Sequence, residues 1–337
     1  MSDCKVFVGL DYHQSAVQVC VLDRKGVMLA NKACANDWRA IVAFVLRQGH
    51  VAEVAIESCS GAADLADELA VHAGWSVHLA HPGYVSRMKQ SPDKSDYTDA
   101  RMLADLVRVG YLPRVWLAPQ ETRELRRLVR YRQQLVNERR NIKLRIRALL
   151  REQRCRCPRY AAWTAPWLEW VERTEKLSVQ GHWIITRHLA RVQQLGADIF
   201  EVEQRLARAT EHDPMVVLLR SLPGIGLVTA WMLRAEIGRF DRFRTSKQLA
   251  RFCGLSPRNA SSGERQADAG LIKAGNPSLR AMVIEAAHRL MRWEPRWHGL
   301  GQQLRARGKP GSVVAAAVGN RWLRWLYHQM QPTQDAA

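Results

Sequence analysis

The first 110 residues constrain the fold most, because short apolar runs are separated there by turn residues in an order that few sheets share. Three runs of strand length come first, at residues 5–11, 16–22 and 27–33, with a turn at Arg24-Lys25-Gly26 before the third. Helical and strand patterns alternate after that. The sequence predicts helices at 37–48, 62–72 and 95–109, strands at 53–56 and 76–79, and a loop or short helix after Pro82.

Three sequential strands followed by alternating helices and strands are typical of a ribonuclease H-like α/β sheet that begins with a meander. We therefore expect such a domain at residues 1–115. Two long helical patterns, at 120–154 and about 167–210, predict amphipathic helices packed as a hairpin or coiled coil, which is a common route to oligomers. They define an arm at 116–212, and a helical domain at 213–337 completes the predicted α/β plus all-α architecture.

Net charge indicates the class of partner. The chain carries 51 Lys and Arg residues against 32 Asp and Glu residues, a formal charge of +19. A charge of this sign and size favours a polyanion, most often nucleic acid. The surplus is uneven, because residues 1–119 and 160–220 each sum to −1, whereas 120–159 sum to +10 and 221–337 to +11.

The basic arm is open to two interpretations, a solvated helix face or a surface that contacts phosphates. The density of arginine favours phosphate contact, because guanidinium groups bind phosphate oxygens in pairs. We predict nucleic-acid contacts at six arm residues, namely Arg126, Arg130, Arg139, Arg140, Lys143 and Arg147.

Other classes of protein are disfavoured. No apolar run approaches the roughly 20 residues of a membrane helix, and the N-terminus lacks a signal-peptide pattern, so we expect a cytoplasmic protein. The seven cysteines are scattered and indicate neither a disulfide framework nor a four-ligand zinc site.

Four carboxylates stand at the ends of predicted elements. Asp11 ends the first strand, Glu57 ends the strand at 53–56, and Asp96 and Asp99 lie three residues apart at the start of a helix. Neighbouring strands would place Asp11 beside Glu57, and the spacing of three puts the two helical acids on one face. Taken singly, each acid is explained as a cap, turn or surface group.

Taken together, the four acids predict a metal site. Converging carboxylates repel one another unless cations lie between them, and Mg²⁺ prefers such oxygen ligands while keeping positions for water and phosphate. A pair of such ions stabilises both the entering and the leaving oxygen of a phosphodiester. We predict that Asp11, Glu57, Asp96 and Asp99 bind Mg²⁺ and are catalytic.

Two glycine motifs mark the C-terminal part. The sequence Leu222-Pro223-Gly224-Ile225-Gly226 has a helix–hairpin–helix pattern, in which backbone N–H groups at Gly224 and Gly226 contact phosphate or the turn serves packing alone. A Ser261-Ser262-Gly263 loop is either an ordinary turn or the position of a serine nucleophile, although no base is identifiable. Its cationic neighbours are predicted to contact nucleic acid: Arg258, Lys273 and Arg280.

Four tryptophans lie in the last helical stretches: Trp293, Trp297, Trp322 and Trp325. We predict that they anchor the core or an interface rather than stack against bases.

These motifs, in this order, resemble the DEDD insertion-sequence transposases, the "one-ten" insertion-sequence family, over nearly the whole chain. The shared pattern comprises the Asp after strand one, the Glu after strand four, Lys-x-Asp-x-x-Asp-Ala, Leu-Pro-Gly-Ile-Gly, Gly-Leu-x-Pro, Ser-Ser-Gly and Ile-x-Lys-x-Gly-Asn-x-x-Leu-Arg. One departure is Tyr12-His13-Gln14, where a small residue and Lys are more usual.

The resemblance implies a prokaryotic recombinase with a RuvC-like domain, a coiled-coil arm and a C-terminal domain with a catalytic serine, Ser262 or otherwise Ser261. It implies a covalent phosphoserine, a site completed by the RuvC-like domain of a partner subunit, and a dimer or tetramer held by the arm. It also implies guidance by a structured bridge RNA that pairs with donor and target DNA. Two alternatives are a RuvC-like junction resolvase and a non-catalytic basic RNA- or DNA-binding scaffold.

Overall fold

The computed structural model describes residues 5–88, 95–157, 159–259, 268–272 and 275–331. The chain divides into two compact units, and the boundary in the chain falls between Ala118 and Pro119. The N-terminal unit is built on a sheet and the C-terminal unit almost wholly of helices, which confirms the predicted α/β plus all-α composition. The division into three domains, 1–115, 116–212 and 213–337, stays a prediction.

A six-stranded sheet forms the N-terminal unit, in the order β3-β2-β1-β4-β5-β6. β1 to β3 form an antiparallel meander, β4 and β5 continue in parallel from β1, and β6 pairs antiparallel with β5. The strands are β1 Lys5–Tyr12, β2 Ala16–Leu22, β3 Met28–Ala35, β4 His50–Glu57, β5 Val77–Ala80 and β6 Arg114–Val115. This order is consistent with a RuvC-like domain, and only the two-residue β6 was not predicted.

Helices cover both faces of this sheet, because alternate residues of the central strands are apolar on each side. On one face Val8 and Leu10 pack with the first two helices; on the other, Phe7 packs against the fourth. The helices are α1 Trp38–Val45, α2 Ala62–Ala73, α3 Pro82–Met88 and α4 Asp96–Arg108. Residues after Pro82 thus form a short helix, one of the two predicted alternatives.

The C-terminal unit begins with a long helix, α5 Gln120–Glu152, close to its predicted bounds. The pattern at 167–210 was predicted as one helix but forms two, α6 Ala165–Arg173 and α7 Val179–Ala209. The break has a local cause, because the Ser178 hydroxyl accepts a hydrogen bond from the Gly181 N–H at 3.0 Å and caps α7.

α5 and α7 pack as an antiparallel hairpin. Arg132 of α5 pairs with Glu203 of α7 at 2.6 Å, and Arg191 of α7 pairs with Glu138 of α5 at 3.6 Å. Buried aliphatic residues of both helices join one continuous core with the rest of the unit. The predicted hairpin packing is therefore present, whereas a coiled coil between subunits stays a prediction.

Shorter elements complete this unit: α8 Pro214–Ser221, α9 Leu227–Ile237, α10 Ser246–Phe252, a hairpin of β7 Pro257–Asn259 and β8 Asp268–Leu271, α11 Pro277–Trp293, α12 Pro295–Ala306 and α13 Gly311–Gln329. Trp322 and Trp297 are buried in the common core, Trp325 is partly buried against it, and Trp293 is 84% exposed. Of the described helices, none is both apolar and long enough to cross a bilayer.

Candidate metal centre

The carboxyl ends of two central strands bring the first two acids together. β1 and β4 are parallel, and the last pair of their register is Leu10 with Ile56, so Asp11 and Glu57 follow directly on adjacent strands. Burial raises the pKa of the nearby Cys59 thiol, and the negative charges of Glu57 and Asp11 raise it further. Both carboxylates therefore act on the same small volume beyond the sheet edge.

Gly9 sets the position of the other two acids. A Cβ atom on Gly9 would lie 2.0 Å from the carbonyl oxygen of Ala100 and 2.4 Å from the backbone nitrogen of Ala104. Only glycine allows the backbone of α4 to lie this close to β1. Ala100 and Ala104 are fully buried against Cys20 and Leu22, so small residues on α4 complete the approach.

Two hydrogen bonds fix the first turn of α4. The Ser95 hydroxyl accepts a hydrogen bond from the Thr98 N–H at 3.2 Å and caps the helix. The Asn31 amide of β3 donates to the Tyr97 carbonyl at 3.0 Å. Asp96 and Asp99 are therefore presented from a helix start that cannot shift freely along the sheet.

The resulting acids differ in exposure. The Asp11 side chain is 15% exposed, Asp96 is 57% exposed, and Asp99 is buried. The pKa of Asp11 is raised by burial and by the charges of Asp96 and Asp99, and His13 opposes this. A negative charge on Asp11 is thus disfavoured by its surroundings, and a bound cation would relieve that cost.

His13 lies within this cluster, which the sequence did not predict. Its Nε2 atom is 3.4 Å from an Asp11 oxygen and 3.3 Å from an Asp96 oxygen. Ligand atoms of Asp11, His13 and Asp96 all lie within 4.8 Å of one another. The departure from the family pattern at Tyr12-His13-Gln14 thus places an imidazole next to the acids.

The structure therefore brings the predicted tetrad together unevenly. Asp11 and Asp96 join His13 in the tightest group; Glu57 and Asp99 are not members of that group, although their charges act on Cys59 and Asp11 respectively. Carboxylate oxygens suit Mg²⁺ or Mn²⁺, and an imidazole nitrogen suits transition metals. This donor set fits a divalent cation held chiefly by oxygen.

Two of the predicted arm residues make polar contacts within the C-terminal unit. Arg130 donates to both carboxylate oxygens of Glu236, at 2.8 and 3.0 Å, and Arg126 donates to the Ala235 carbonyl at 3.0 Å. Glu236 is buried, so these arginines compensate its charge and join α5 to α9. Phosphate contact at either position stays a prediction.

The other arm cations are placed differently. Lys143 lies 4.6 Å from the centre of the Trp163 ring, and partial burial lowers its pKa, with Arg139 adding to the effect. Arg139 is half-buried, whereas Arg140 and Arg147 are exposed. Arg140 and Arg147 are thus accessible to a partner, as is the exposed Arg130.

The glycine turn joins α8 to α9. Gly224 has a φ of +79°, and a Cβ atom there would lie 2.4 Å from a Leu290 methyl carbon, so both conformation and packing require glycine. Gly226 is the N-cap of α9 and provides no side-chain cap. The described arrangement serves packing, and phosphate contact at this turn stays a prediction.

The predicted nucleophile lies outside the described residues, as do Gly263 and Lys273. Ser261 and Ser262 belong to the segment 260–267, which connects β7 to β8. Arg258 lies in β7 and is exposed. Arg280 lies on α11, where its Nη1 atom is buried and has no hydrogen-bond partner among the described residues.

Two family models match this chain. An IS110-type DEDD model, described as a transposase, matches residues 8–154. A second model, described as the transposase IS116/IS110/IS902 family, matches residues 216–302. The first match contains all four predicted acids and the second contains both serines.

Curated relatives agree with these matches. The transposase for insertion sequence element IS1111A of Coxiella burnetii is 28% identical over 99% of this chain and 92% of its own length. A probable family 20 transposase of Pseudomonas aeruginosa is 28% identical over 95% of each chain. A putative transposase, y4qE, of Sinorhizobium fredii is 29% identical over 64% of this chain and 52% of its own length.

Proposed function

We propose that the chain is an insertion-sequence transposase of the IS110 type, as its two family-model matches indicate, and that it cuts and rejoins DNA at the acidic edge of its N-terminal sheet. The observation that carries this proposal is the approach of Asp11, His13 and Asp96 to ligand distance at the end of β1. Glu57 and Asp99 supply further negative charge around them.

The proposed cofactor is Mg²⁺, and the residues suited to hold it are Asp11, Glu57, Asp96 and Asp99. A divalent ion bound there would neutralise charge on a scissile phosphate. Asp11, the most buried member of the tight group, would supply a ligand oxygen from the sheet, and the exposure of Asp96 would keep the site accessible to DNA. His13 has two possible roles, as a nitrogen ligand or as a hydrogen-bond donor that holds Asp11 and Asp96 in place.

We propose Ser262 as the nucleophile, with Ser261 as the alternative. The serine oxygen would attack the scissile phosphorus, the bond from phosphorus to a deoxyribose oxygen would break, and the leaving oxygen would take up a proton. The product is a phosphoserine ester. Attack on that ester by a hydroxyl of the second DNA strand would restore the serine and join the strands, so no oxidant or energy-rich co-reactant is needed.

Guidance by a bridge RNA and assembly into a dimer or tetramer belong to the same proposal. RNA guidance is supported by the family matches and by the large positive charge of the arm and C-terminal segment, whereas assembly is supported by the family matches alone. A partner's RuvC-like domain would then complete the site around the serine. Action on genomic DNA would place the reaction in the cytoplasm of a prokaryote.

The deciding experiment compares Ser262→Ala with Ser261→Ala in a recombination assay that supplies donor DNA, target DNA and the non-coding RNA encoded beside the gene. We expect Ser262→Ala to abolish both strand exchange and the covalent protein–DNA adduct, while Ser261→Ala keeps both. Cutting that persists in the double variant would instead support a junction resolvase that uses metal-activated water.

A second arm tests the acids. We expect Asp11→Ala and Asp99→Ala to abolish recombination while leaving DNA and RNA binding in place. If each of the two variants recombined DNA in cells as well as the parent protein, that result would contradict the metal site and would support the non-catalytic scaffold.

A further inference from the structure

The last two long helices carry a one-sided charge. Residues 295–331 contain six Arg and Lys residues and no Asp or Glu. These residues make up α12, α13 and the turn between them. The helix pair itself therefore contributes only positive charge to its surroundings, and the acid that precedes it in the chain, Glu294, caps α12.

A cavity of about 550 Å³ lies between the two helices. On α13, Arg321, Arg324 and His328 follow one another at spacings of three and four residues, which places them on one helix face. Arg296 and Leu300 face them from α12. Trp325 is partly buried and forms part of the wall, where its ring packs edge-on to Trp297 at 6.2 Å.

The arginines of this cavity are weakly engaged. Arg296 lies 4.9 Å from the centre of the Trp297 ring, and Arg321 donates to the Ala317 carbonyl at 3.4 Å. Within the part of the chain that the structure describes, none of the ion pairs includes Arg296, Arg321 or Arg324. This contrasts with Arg130 and Arg234, whose charges are compensated by Glu236 and Asp213.

A second cavity, of about 690 Å³, continues on the other side of Arg321 and Arg324. Its walls are mostly apolar and include Val313 and Ala316 of α13, Pro257 of β7 and Leu271 of β8. The two cavities share Arg321 and Arg324, so these arginines lie between two hollows rather than on a flat surface. A linear ligand with alternating charged and apolar groups matches the lining of the two cavities taken together.

We propose that α12 and α13 form a binding groove for an unpaired nucleic-acid strand, with phosphates at Arg296, Arg321 and Arg324 and bases against the apolar walls. The combination of arginines with an aromatic and aliphatic wall suits single strands, whose bases are free to leave the backbone axis. The apolar walls suit the faces of bases, which an unpaired strand exposes and a duplex keeps stacked inside. Charge complementarity thus selects a polyanion, and the apolar walls select an unpaired one.

The test measures binding of labelled oligonucleotides of about 12 nucleotides, within the usual range of single-strand sites. The full-length protein is titrated in EDTA with single-stranded DNA, single-stranded RNA of the same sequence and the corresponding duplex. We expect Arg321→Ala with Arg324→Ala to weaken binding of the unpaired strand about tenfold and to lower the slope of log affinity against log salt by about 1.4, or about 0.7 for each lost phosphate contact.

The matched control is Arg305→Ala with Arg307→Ala, which removes the same charge from the exposed end of α12 outside both cavities. We expect it to change affinity by less than about twofold. Arg321→Lys with Arg324→Lys should recover part of the binding, and thermal unfolding should confirm that all variants fold. Loss confined to the DNA or to the RNA strand identifies the source of the strand, and either supports the groove.

Three results would overturn the proposal: equal losses from both arginine pairs, equal losses for duplex and single strand, or equal competition by an acidic peptide. The inference goes beyond the proposed function, because binding in EDTA does not depend on the acids or the serine. If recombination proved independent of Asp11 while the groove variants still lost strand binding, only the metal proposal would fail.

Discussion

In the N-terminal unit, acids of like charge are gathered at one sheet edge, whereas in the C-terminal unit arginines are spread over helix surfaces and only some are paired. The first unit sums to about zero charge, yet the pKa of Asp11 is raised by its burial and its acidic neighbours. The second unit has a large surplus, yet Arg126 and Arg130 are used to compensate buried Glu236. The net charge of a unit therefore does not locate its site. The contacts that each charged side chain makes with its neighbours do.

Removing one gathered acid should give the largest effect. We expect Asp11→Asn to lower DNA strand cleavage about a thousandfold, equivalent to about 4 kcal/mol of transition-state stabilisation. The same change removes repulsion, so thermal stability without metal should stay level or rise, and the stabilisation by added Mg²⁺ or Mn²⁺ should disappear.

Asp105→Asn is the matched control, because Asp105 lies on the same helix but is exposed and paired with Arg108. Cleavage and thermal unfolding are measured for both variants. Equal loss of cleavage in Asp105→Asn would mean that charge on α4 in general, rather than the cluster, is needed.

Separating the two elements that gather the acids should come next. We expect Gly9→Ala to destabilise the protein by about 3 kcal/mol and to lower cleavage about a hundredfold, because the new Cβ meets backbone atoms of α4 that cannot move independently. Gly83→Ala is a control at a helix start, where a Cβ would meet only the His81 side chain. Denaturant unfolding checks stability, and a Gly9→Ala protein as stable as the parent would contradict the close approach.

In the C-terminal unit, removing the compensated acid should destabilise the fold. We expect Glu236→Gln to lower the free energy of unfolding by about 2 kcal/mol, since it leaves Arg126 and Arg130 without a buried counter-charge. The exposed pair of Glu138 and Arg191 provides the control, and Glu138→Gln should cost less than about 0.5 kcal/mol. Equal costs would show that the two arginines are no more engaged than surface ones.

The smallest effect is expected at His13. If the imidazole is a ligand, His13→Ala should lower the ratio of activity with Mn²⁺ to activity with Mg²⁺ several-fold, because nitrogen ligands favour transition metals. If it only orients Asp11 and Asp96, activity should fall equally with both metals. An unchanged rate with either metal would contradict both roles.

Much of the N-terminal fold could be predicted because strand and helix periods are local properties of the chain. The three-strand start, the alternation of helices and strands after it and the start of α4 after Ser95 all follow from period and capping. The break between α6 and α7 was missed, since the apolar pattern continues through it at the buried Leu177. The two-residue β6 was missed because so short a strand has no period.

The candidate site likewise has features that the sequence predicts and features that depend on the folded structure. Asp96 and Asp99 share a helix face by spacing alone, whereas the place of His13 depends on how the turn between β1 and β2 packs against the start of α4. Gly9 carried a usable signal, because a glycine inside a strand often marks a close backbone approach. The serine loop was identified by motif, and its geometry lies outside the described residues.

By itself, the sequence determined where the acids stand on their own elements and where positive charge accumulates, because both depend on neighbours within a few residues. Tertiary structure alone decided which charges are compensated. Arg130 and Glu236 are far apart in the chain and meet only when α5 packs against α9. Long-range packing thus separates arginines that stabilise the fold from those at Arg321 and Arg324 that face open cavities.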